Sequence, residues 1–118
     1  MNPYLEALKF IQEHPGTDSA AGMAKLILSL YNANHAFGIG ECLWSFDGER
    51  LDLAVRMVQH YAKHGEDQVL RDVGFEIWQT WPRLVELSNA ASYAKTEVRN
   101  KWQAEEEASM PDIDAEWN

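Results

Sequence analysis

Cysteine is almost absent from this chain of 118 residues, and that absence limits the class of protein. The single Cys42 has no partner for an internal disulfide, which excludes a small secreted scaffold held together by disulfides. Seven glycines and four prolines are too few for a collagen-like repeat or a low-complexity linker. The apolar stretch from Ala20 to Ala33 is interrupted by Lys25, and the N-terminus lacks the features of a signal peptide. These absences predict a cytoplasmic protein that does not associate with a membrane.

Basic residues are scarce as well. Lysine and arginine number 10 against 19 aspartates and glutamates, which gives a formal net charge of −9. Six of the acids and none of the bases lie in residues 105–118. Such a field repels phosphate backbones, so direct binding to nucleic acid is not expected. It favours a protein partner with a basic surface, and the alternative is that the charge serves solubility alone.

Apolar side chains recur every three or four residues, which is typical of amphipathic helices, and no segment alternates as a strand does. The sequence therefore predicts an all-α fold, a single compact bundle of about five helices in residues 1–104 followed by an acidic tail, 105–118. The fifth helix extends from near Pro82 to about Ala108, so its last turns are expected to project beyond the bundle. The expected boundaries are marked by capping and breaking residues at Asn2-Pro3, His14-Pro15-Gly16, Thr17–Ser19, Asp47-Gly48, Gly65, Glu66-Asp67, Thr80 and Pro82.

Each predicted helix has an apolar stripe that we expect to face the core. The second helix has the widest stripe and is predicted to be central and mostly buried. The stripe of the third helix leaves His60 and His64 on the solvent side. Core packing is the expected role of four tryptophans: Trp44, Trp78, Trp81 and Trp102. The stripes of the third and fifth helices are Leu51, Ala54, Val55, Val58, Tyr61 and Ala62, and Leu84, Leu87, Ala91, Ala94, Val98 and Trp102.

Two incomplete constellations are the candidates for chemistry. His60 and His64 lie four residues apart on a helix, a spacing that allows two imidazoles to share a transition metal, but no third ligand or zinc motif accompanies them. Cys42 with His35 as base is a candidate nucleophile, although its apolar neighbours favour a buried thiol. We therefore predict no catalytic residue and no cofactor. A metal-dependent enzyme using His60 and His64, or a thiol-dependent enzyme using Cys42, remains the alternative.

The candidate partner-binding residues lie mainly near the C-terminus. Met110, Ile113 and Trp117 have the i, i+3, i+7 spacing of the anchors of a helix that docks in a groove, and acids surround them. The opposite hypothesis is that Trp117 folds back on its own domain. Further candidates are the acids Glu105, Glu106 and Glu107, and the loop that carries Phe37 and Trp44.

The segment AGMAKLILSLYNANHAFGIGECLWSFDGE combines a small-residue helix, a glycine-containing loop, a Leu-Trp pair and an Asp-capped helix. It resembles small helical proteins of bacterial phages and integrative mobile elements, over residues 22–49 and more loosely over residues 50–81. The resemblance implies a mobile-element accessory protein and transfers no catalytic residue. Small acidic proteins of that setting include inhibitors of host defence, such as anti-CRISPR proteins.

Taken together, these patterns predict a non-enzymatic protein-binding module that inhibits a host protein by covering a basic or functional surface. A homodimer in which the fifth helix packs on its counterpart is the other alternative. An immunity protein or an assembly factor would need only the same kind of surface.

Overall fold

A computed structural model describes residues 1–110, and all regular structure within that range is helical. The all-α prediction is therefore confirmed. A short helix, α3, adds to the five that were predicted. The α-helices are α1 (Pro3–Glu13), α2 (Asp18–Tyr31), α3 (Ile39–Leu43), α4 (Gly48–His64), α5 (Gln68–Thr80) and α6 (Pro82–Ser109), with a 3-10 turn at Ala33–His35 between α2 and α3.

Local capping residues set most of the helix boundaries. The side chains of Asn2, Thr17, Asp47 and Asp67 each accept a hydrogen bond from a backbone N–H in the first turn of the helix that follows. Gly65 ends α4 with a φ of 66°, a backbone conformation that favours glycine. These boundaries agree with the sequence prediction because capping depends on residues that are neighbours in the chain.

Helix α2 lies at the centre of the fold, as predicted, and contacts α1, α3, α4 and α5. Its buried side chains include Met23, Ile27 and Leu28, which are fully inaccessible. Helix α5 contributes Leu70, Val73 and Ile77 to the same core. Helix α1 packs on α2, α4 and α5 through Tyr4, Ala7 and Ile11. The core is thus formed by α1, α2, α5 and one face of α4.

The face of α4 that packs on the core differs from the predicted one. The buried side chains of α4 are Leu53, Ala54 and Met57, so of the predicted stripe only Ala54 is buried. The rest of that stripe is exposed: Leu51, Val55, Val58, Tyr61 and Ala62. The prediction was wrong because α4 carries apolar residues on two faces, and periodicity does not tell which face a neighbouring helix covers.

The helix α6 projects from the rest of the fold. Only two of its 28 residues, Leu84 and Ser88, are buried, and no residue after Ser88 is buried up to Met110, where the described range ends. The molecule measures 68 × 30 × 26 Å, with a radius of gyration of 19.2 Å. A compact chain of this length has a radius of gyration of about 13 Å. The helix continues without a break past residue 104, where the predicted domain ended, and residues 111–118 lie outside the described range.

The expectation that four tryptophans pack in the core was wrong. Trp44, Trp78 and Trp102 are exposed and Trp81 is only partly buried, so none of these four tryptophans lies fully inside the core.

Among the described residues, no helix is both long and apolar enough to cross a membrane.

Candidate protein-binding surfaces

An apolar groove lies between α3 and α4, over the side of α2. We call it the α4 groove. Its volume is about 220 Å³, and Gln59 is the one polar residue among those that line it: Leu26, Ile39, Leu43, Leu51, Ala54, Val55, Val58 and Gln59. Four other hollows, of about 260 to 420 Å³, all have at least one charged side chain in their lining. The α4 groove is therefore distinguished by its apolar lining rather than by its size.

Several of the apolar side chains that line the α4 groove are highly exposed. Ile39 on α3 is 65% exposed, and Val55 on α4 is 52% exposed. Leu51 and Val58, one turn to either side of Val55, are also exposed. Ile39, Leu51, Val55 and Val58 thus form an apolar surface that the rest of the described chain leaves uncovered.

Helix α3 is held in place by close packing against α2. A Cβ at Gly22 of α2 would collide with the backbone carbonyl of Cys42 and with the ring of Phe46, so only glycine fits this crossing. The chain before α3 is fixed by Ser29, whose hydroxyl accepts a hydrogen bond from the backbone N–H of Phe37 at 2.9 Å. These contacts position the α3 wall of the α4 groove.

The two residues predicted from the loop before α4 lie in different environments. Phe37 is partly buried against the core, and the ammonium group of Lys25 lies 5.7 Å from the centre of its ring. Trp44, directly after α3, is 68% exposed. Trp44 is therefore accessible for contact with a partner, whereas Phe37 mainly serves to hold the loop.

The projecting part of α6 carries a second uncovered apolar surface, here called the α6 stripe. Its residues are spaced by three or four positions, as in a helix that packs on another helix. Leu87, Val98 and Trp102 are 58%, 43% and 62% exposed. The stripe consists of Leu87, Ala91, Ala94, Val98 and Trp102.

The predicted acidic residues lie on the last turns of α6. Glu105, Glu106 and Glu107 are exposed, and Met110 caps the helix with 59% of its surface accessible. The predicted anchors Ile113 and Trp117 lie outside the described residues. The four that are described form an exposed end of the molecule, far from the α1, α2 and α5 core.

The prediction that His60 faces solvent was wrong, because His60 is partly buried. Its ring packs edge-on against the buried ring of Tyr4, with 5.2 Å between ring centres, and its Nε2 donates to a carboxylate oxygen of Asp67 at 2.9 Å. His64 stays exposed, with its ring centre 4.5 Å from that of His60. His60 lies on the same face of α4 as Leu53 and Met57, which explains the error.

The carboxylate of Asp67 connects α4 and α5. One oxygen accepts from His60 and the other from the backbone N–H of Leu70, at 2.8 Å. Partial burial by itself raises the pKa of Asp67, but these hydrogen bonds outweigh it and lower the pKa. Beside this pair, burial raises the pKa of Tyr4 to about 12, and its hydroxyl has no hydrogen-bond partner in the described part of the chain.

The geometry of the two candidate chemical sites is that of structural contacts. Within residues 1–110, no three His, Cys, Asp or Glu side chains are grouped so that they could hold a metal ion. Cys42 is 1% exposed, and burial raises the pKa of its thiol, which disfavours the nucleophilic thiolate. His35, its proposed base, instead places Nδ1 3.0 Å from the hydroxyl of Ser88 on α6. Since that hydroxyl donates to the carbonyl of Val85, it accepts from His35.

Sequence reasoning missed the α4 groove although it singled out most of the α4 residues that line it. Those residues were assigned to the core, because an apolar stripe on a helix usually packs inside. The signal that was available is that α4 has a second set of apolar residues, Leu53 and Met57, which the spacing rule did not use. A helix near the edge of a small bundle packs on its neighbours with one face, so the second of two apolar faces stays exposed.

No protein-family model, curated protein or solved structure matches this chain significantly. Its function is therefore argued from its own residues.

Proposed function

We propose that this protein is a non-enzymatic binding module that docks on a basic partner protein through the α4 groove and inhibits the partner by covering the docked surface. The observation that carries the proposal is the uncovered apolar face of α4, which together with α3 forms a groove with one polar residue in its lining. The partner contributes apolar side chains that fill the groove and basic side chains at its edge.

Apolar contact supplies the affinity in this proposal. Ile39, Leu51, Val55 and Val58 each keep about half of their surface exposed. Covering the remaining surface of such a side chain contributes about 1 kcal/mol, so the four together contribute about 4 kcal/mol before the costs of association. A few side chains of this kind at the centre of an interface commonly dominate its binding energy.

Charge supplies the choice of partner. Between residues 39 and 59, which include the α3 and α4 residues that line the groove, the chain has four acids, Glu41, Asp47, Glu49 and Asp52, and two bases, Arg50 and Arg56. Both bases already pair with acids, Arg50 with Glu49 at 2.9 Å and Arg56 with Glu6 at 2.8 Å and Asp52 at 3.1 Å. The segment thus has a net charge of −2, which favours basic partners over acidic ones.

The partner in this proposal is a host protein, and the chain is an accessory protein of a mobile element. That part rests on the resemblance of residues 22–49 to small phage proteins and on the net charge of −9. Inhibition follows from coverage, because a protein that occupies a functional basic surface keeps the normal ligand of that surface away.

The groove is tested with a peptide of the proposed chemistry. The probe is a short amphipathic peptide with leucines on one helical face and lysines on the other, titrated into isotope-labelled full-length protein and followed by two-dimensional NMR. We expect shifts in the backbone signals of α3 and α4 and a Kd of about 100 µM or tighter. Raising the salt from about 0.05 M to about 0.5 M is expected to weaken binding, because the Debye length falls from about 14 Å to about 4 Å.

Two controls decide the outcome. A peptide with glutamates in place of the lysines keeps the apolar face and is expected to bind at least about tenfold more weakly. The variant Val55→Asp places a charge in the groove and is expected to abolish binding, whereas Thr96→Asp, on exposed α6, is expected to leave it unchanged. Binding that survives Val55→Asp, or shifts confined to α6, would refute the groove as the docking site.

A further inference from the structure

We propose that two copies of this chain form a homodimer by pairing their α6 helices in antiparallel orientation along the α6 stripe. This surface is separate from the α4 groove, so the inference stands independently of the function proposed above.

The projecting part of α6 lacks the contacts that normally stabilise a helix. From Asn89 to Ser109 it is a single helix of about 31 Å at 1.5 Å per residue, with no buried side chain. Most helical stability in proteins comes from packing of an apolar face rather than from helix propensity, and helicity without such packing is sensitive to temperature. The α6 stripe is the face that such packing would cover.

The shape of the α6 stripe suits a second helix. The spacing from Leu84 through Leu87, Ala91 and Ala94 to Val98 alternates steps of three and four, as in a helix of a coiled coil. The two alanines in the middle allow helix axes to approach to about 8 Å, at the short end of the usual range. A straight helix of the same shape is the natural complement to this surface, and a second α6 is such a helix.

The order of charges along α6 favours a second copy in antiparallel orientation. Between residues 89 and 109, Lys95, Glu97, Arg99 and Lys101 come first, and Glu105–Glu107 follow in the last turns. In a parallel pair the three glutamates of each copy lie opposite those of the other and repel. In an antiparallel pair over residues 89–109, Lys101 of each copy is level with Glu97 of the other, and the three glutamates come within about 6 Å of the other copy's Lys95 along the axis. The two Arg99 side chains are the like-charged pair of this register, and the helix dipoles oppose each other favourably.

The acids at the end of α6 fit this arrangement for another reason. Negative side chains in the last turn of a helix interact unfavourably with its own dipole. The contacts within the chain are weak, since Lys101 and Glu105 are 3.9 Å apart and both side chains are exposed. A neighbouring antiparallel helix offers these acids basic residues and the positive half of a second dipole.

The expected dimer is weak. Each contact surface is about 31 Å long and about 10 Å wide, which is less than half of a standard interface of about 800 Å² per partner. We therefore expect a Kd of about 100 µM, with the two α4 grooves carried on separate bodies at opposite ends of the paired helices.

The dimer is tested by sedimentation velocity of the full-length chain from about 2 µM to about 500 µM, a range that brackets the expected Kd. The monomer has a mass of 13.5 kDa, and we expect a concentration-dependent shift towards twice that value. Val98→Glu places a charge in the stripe and is expected to raise the Kd by about 30-fold or more. The matched control Asn100→Glu adds the same charge on the opposite side of α6 and is expected to have little effect.

The orientation is tested with spin labels on Asn89→Cys in a Cys42→Ala background. Antiparallel pairing over residues 89–109 separates the two labelled positions by about 30 Å along the axis, whereas parallel pairing places them about 10 Å apart. A chain that stays monomeric at the highest concentration, a dimer that tolerates Val98→Glu, or a short label distance would each overturn the proposal. Peptide binding in the α4 groove is expected to be unchanged in Val98→Glu, which keeps the two proposals distinguishable.

Discussion

Replacing Gly22 by alanine is expected to destabilise the protein by about 2 kcal/mol. The new Cβ would meet the carbonyl oxygen of Cys42 and lie 2.9 Å from the ring of Phe46, closer than real Cβ contacts come. An overpacked core costs about 1–3 kcal/mol, and we expect about 3 here because a backbone carbonyl cannot rotate away as a side chain does. The higher helix propensity of alanine offsets about 1 kcal/mol of this cost, which leaves a net loss of about 2 kcal/mol.

The measurement is urea denaturation of the full-length chain, followed by circular dichroism. For a domain of this size, 1 kcal/mol corresponds to about 4 °C in Tm, so a thermal scan is expected to show a decrease of about 8 °C. Gly48→Ala is the matched control, because a Cβ there meets no atom within 4 Å. We expect Gly48→Ala to change the free energy of unfolding by less than about 1 kcal/mol.

The same substitution also tests how α3 is positioned. Since α3 must move to admit a Cβ at Gly22, the NMR signals of Ile39 and Leu43 in the α4 groove are expected to shift, and peptide binding to weaken. If Gly22→Ala is as stable as Gly48→Ala, the close contact between α2 and α3 does not exist and the groove has a different shape.

Three further substitutions test individual contacts. The pKa of Asp67 is lower in the folded state than in the unfolded state, so its contribution to stability is present above about pH 3.9 and is lost as the pH falls through the folded-state pKa. Asp67→Asn keeps an N-cap but removes the charge, so we expect the free energy of unfolding, measured in urea, to depend less on pH in this range. Tyr4→Phe removes a buried hydroxyl without a partner in the described residues and is expected to leave Tm unchanged or raise it, and a fall would contradict this. Ser88→Ala leaves His35 without its acceptor and is expected to cost about 1 kcal/mol in chemical denaturation, whereas an unchanged midpoint would show that the contact does not anchor α6.

The helices and their boundaries could be predicted because their causes are local. Asn2, Thr17 and Asp47 cap the helices that follow them through bonds to residues two or three positions away. The central place of α2 could also be predicted, since a helix that is apolar around most of its circumference must be covered on most sides.

The candidate surfaces could not be predicted from the same patterns. The identity of an apolar residue in the sequence does not indicate whether a neighbouring helix covers its side chain. Val55 and Met57 differ by two positions on α4, yet Met57 is fully buried and Val55 is half exposed. The difference is decided by which side of α4 packs on α1 and α2, and two hydrogen bonds from Arg56 to Glu6 join α4 to α1. Such a contact joins residues 50 positions apart and leaves no periodic signal.

The distribution of burial separates the part of the chain that keeps the fold from the part that is free to bind. Fully buried side chains come mainly from α1, α2, α5 and the inner face of α4, with Cys42 of α3 and Ser88 of α6 beside them. Ile39 of α3, Val55 on the outer face of α4, and Leu87 and Trp102 of α6 are more than half exposed. Substitutions at exposed positions usually change stability by less than about 0.5 kcal/mol. Val55→Asp and Val98→Glu should therefore alter binding without unfolding the chain, and each acts on one surface only. If either variant lost more than about 2 kcal/mol of stability, its surface would belong to the core, and the corresponding proposal would lose its basis.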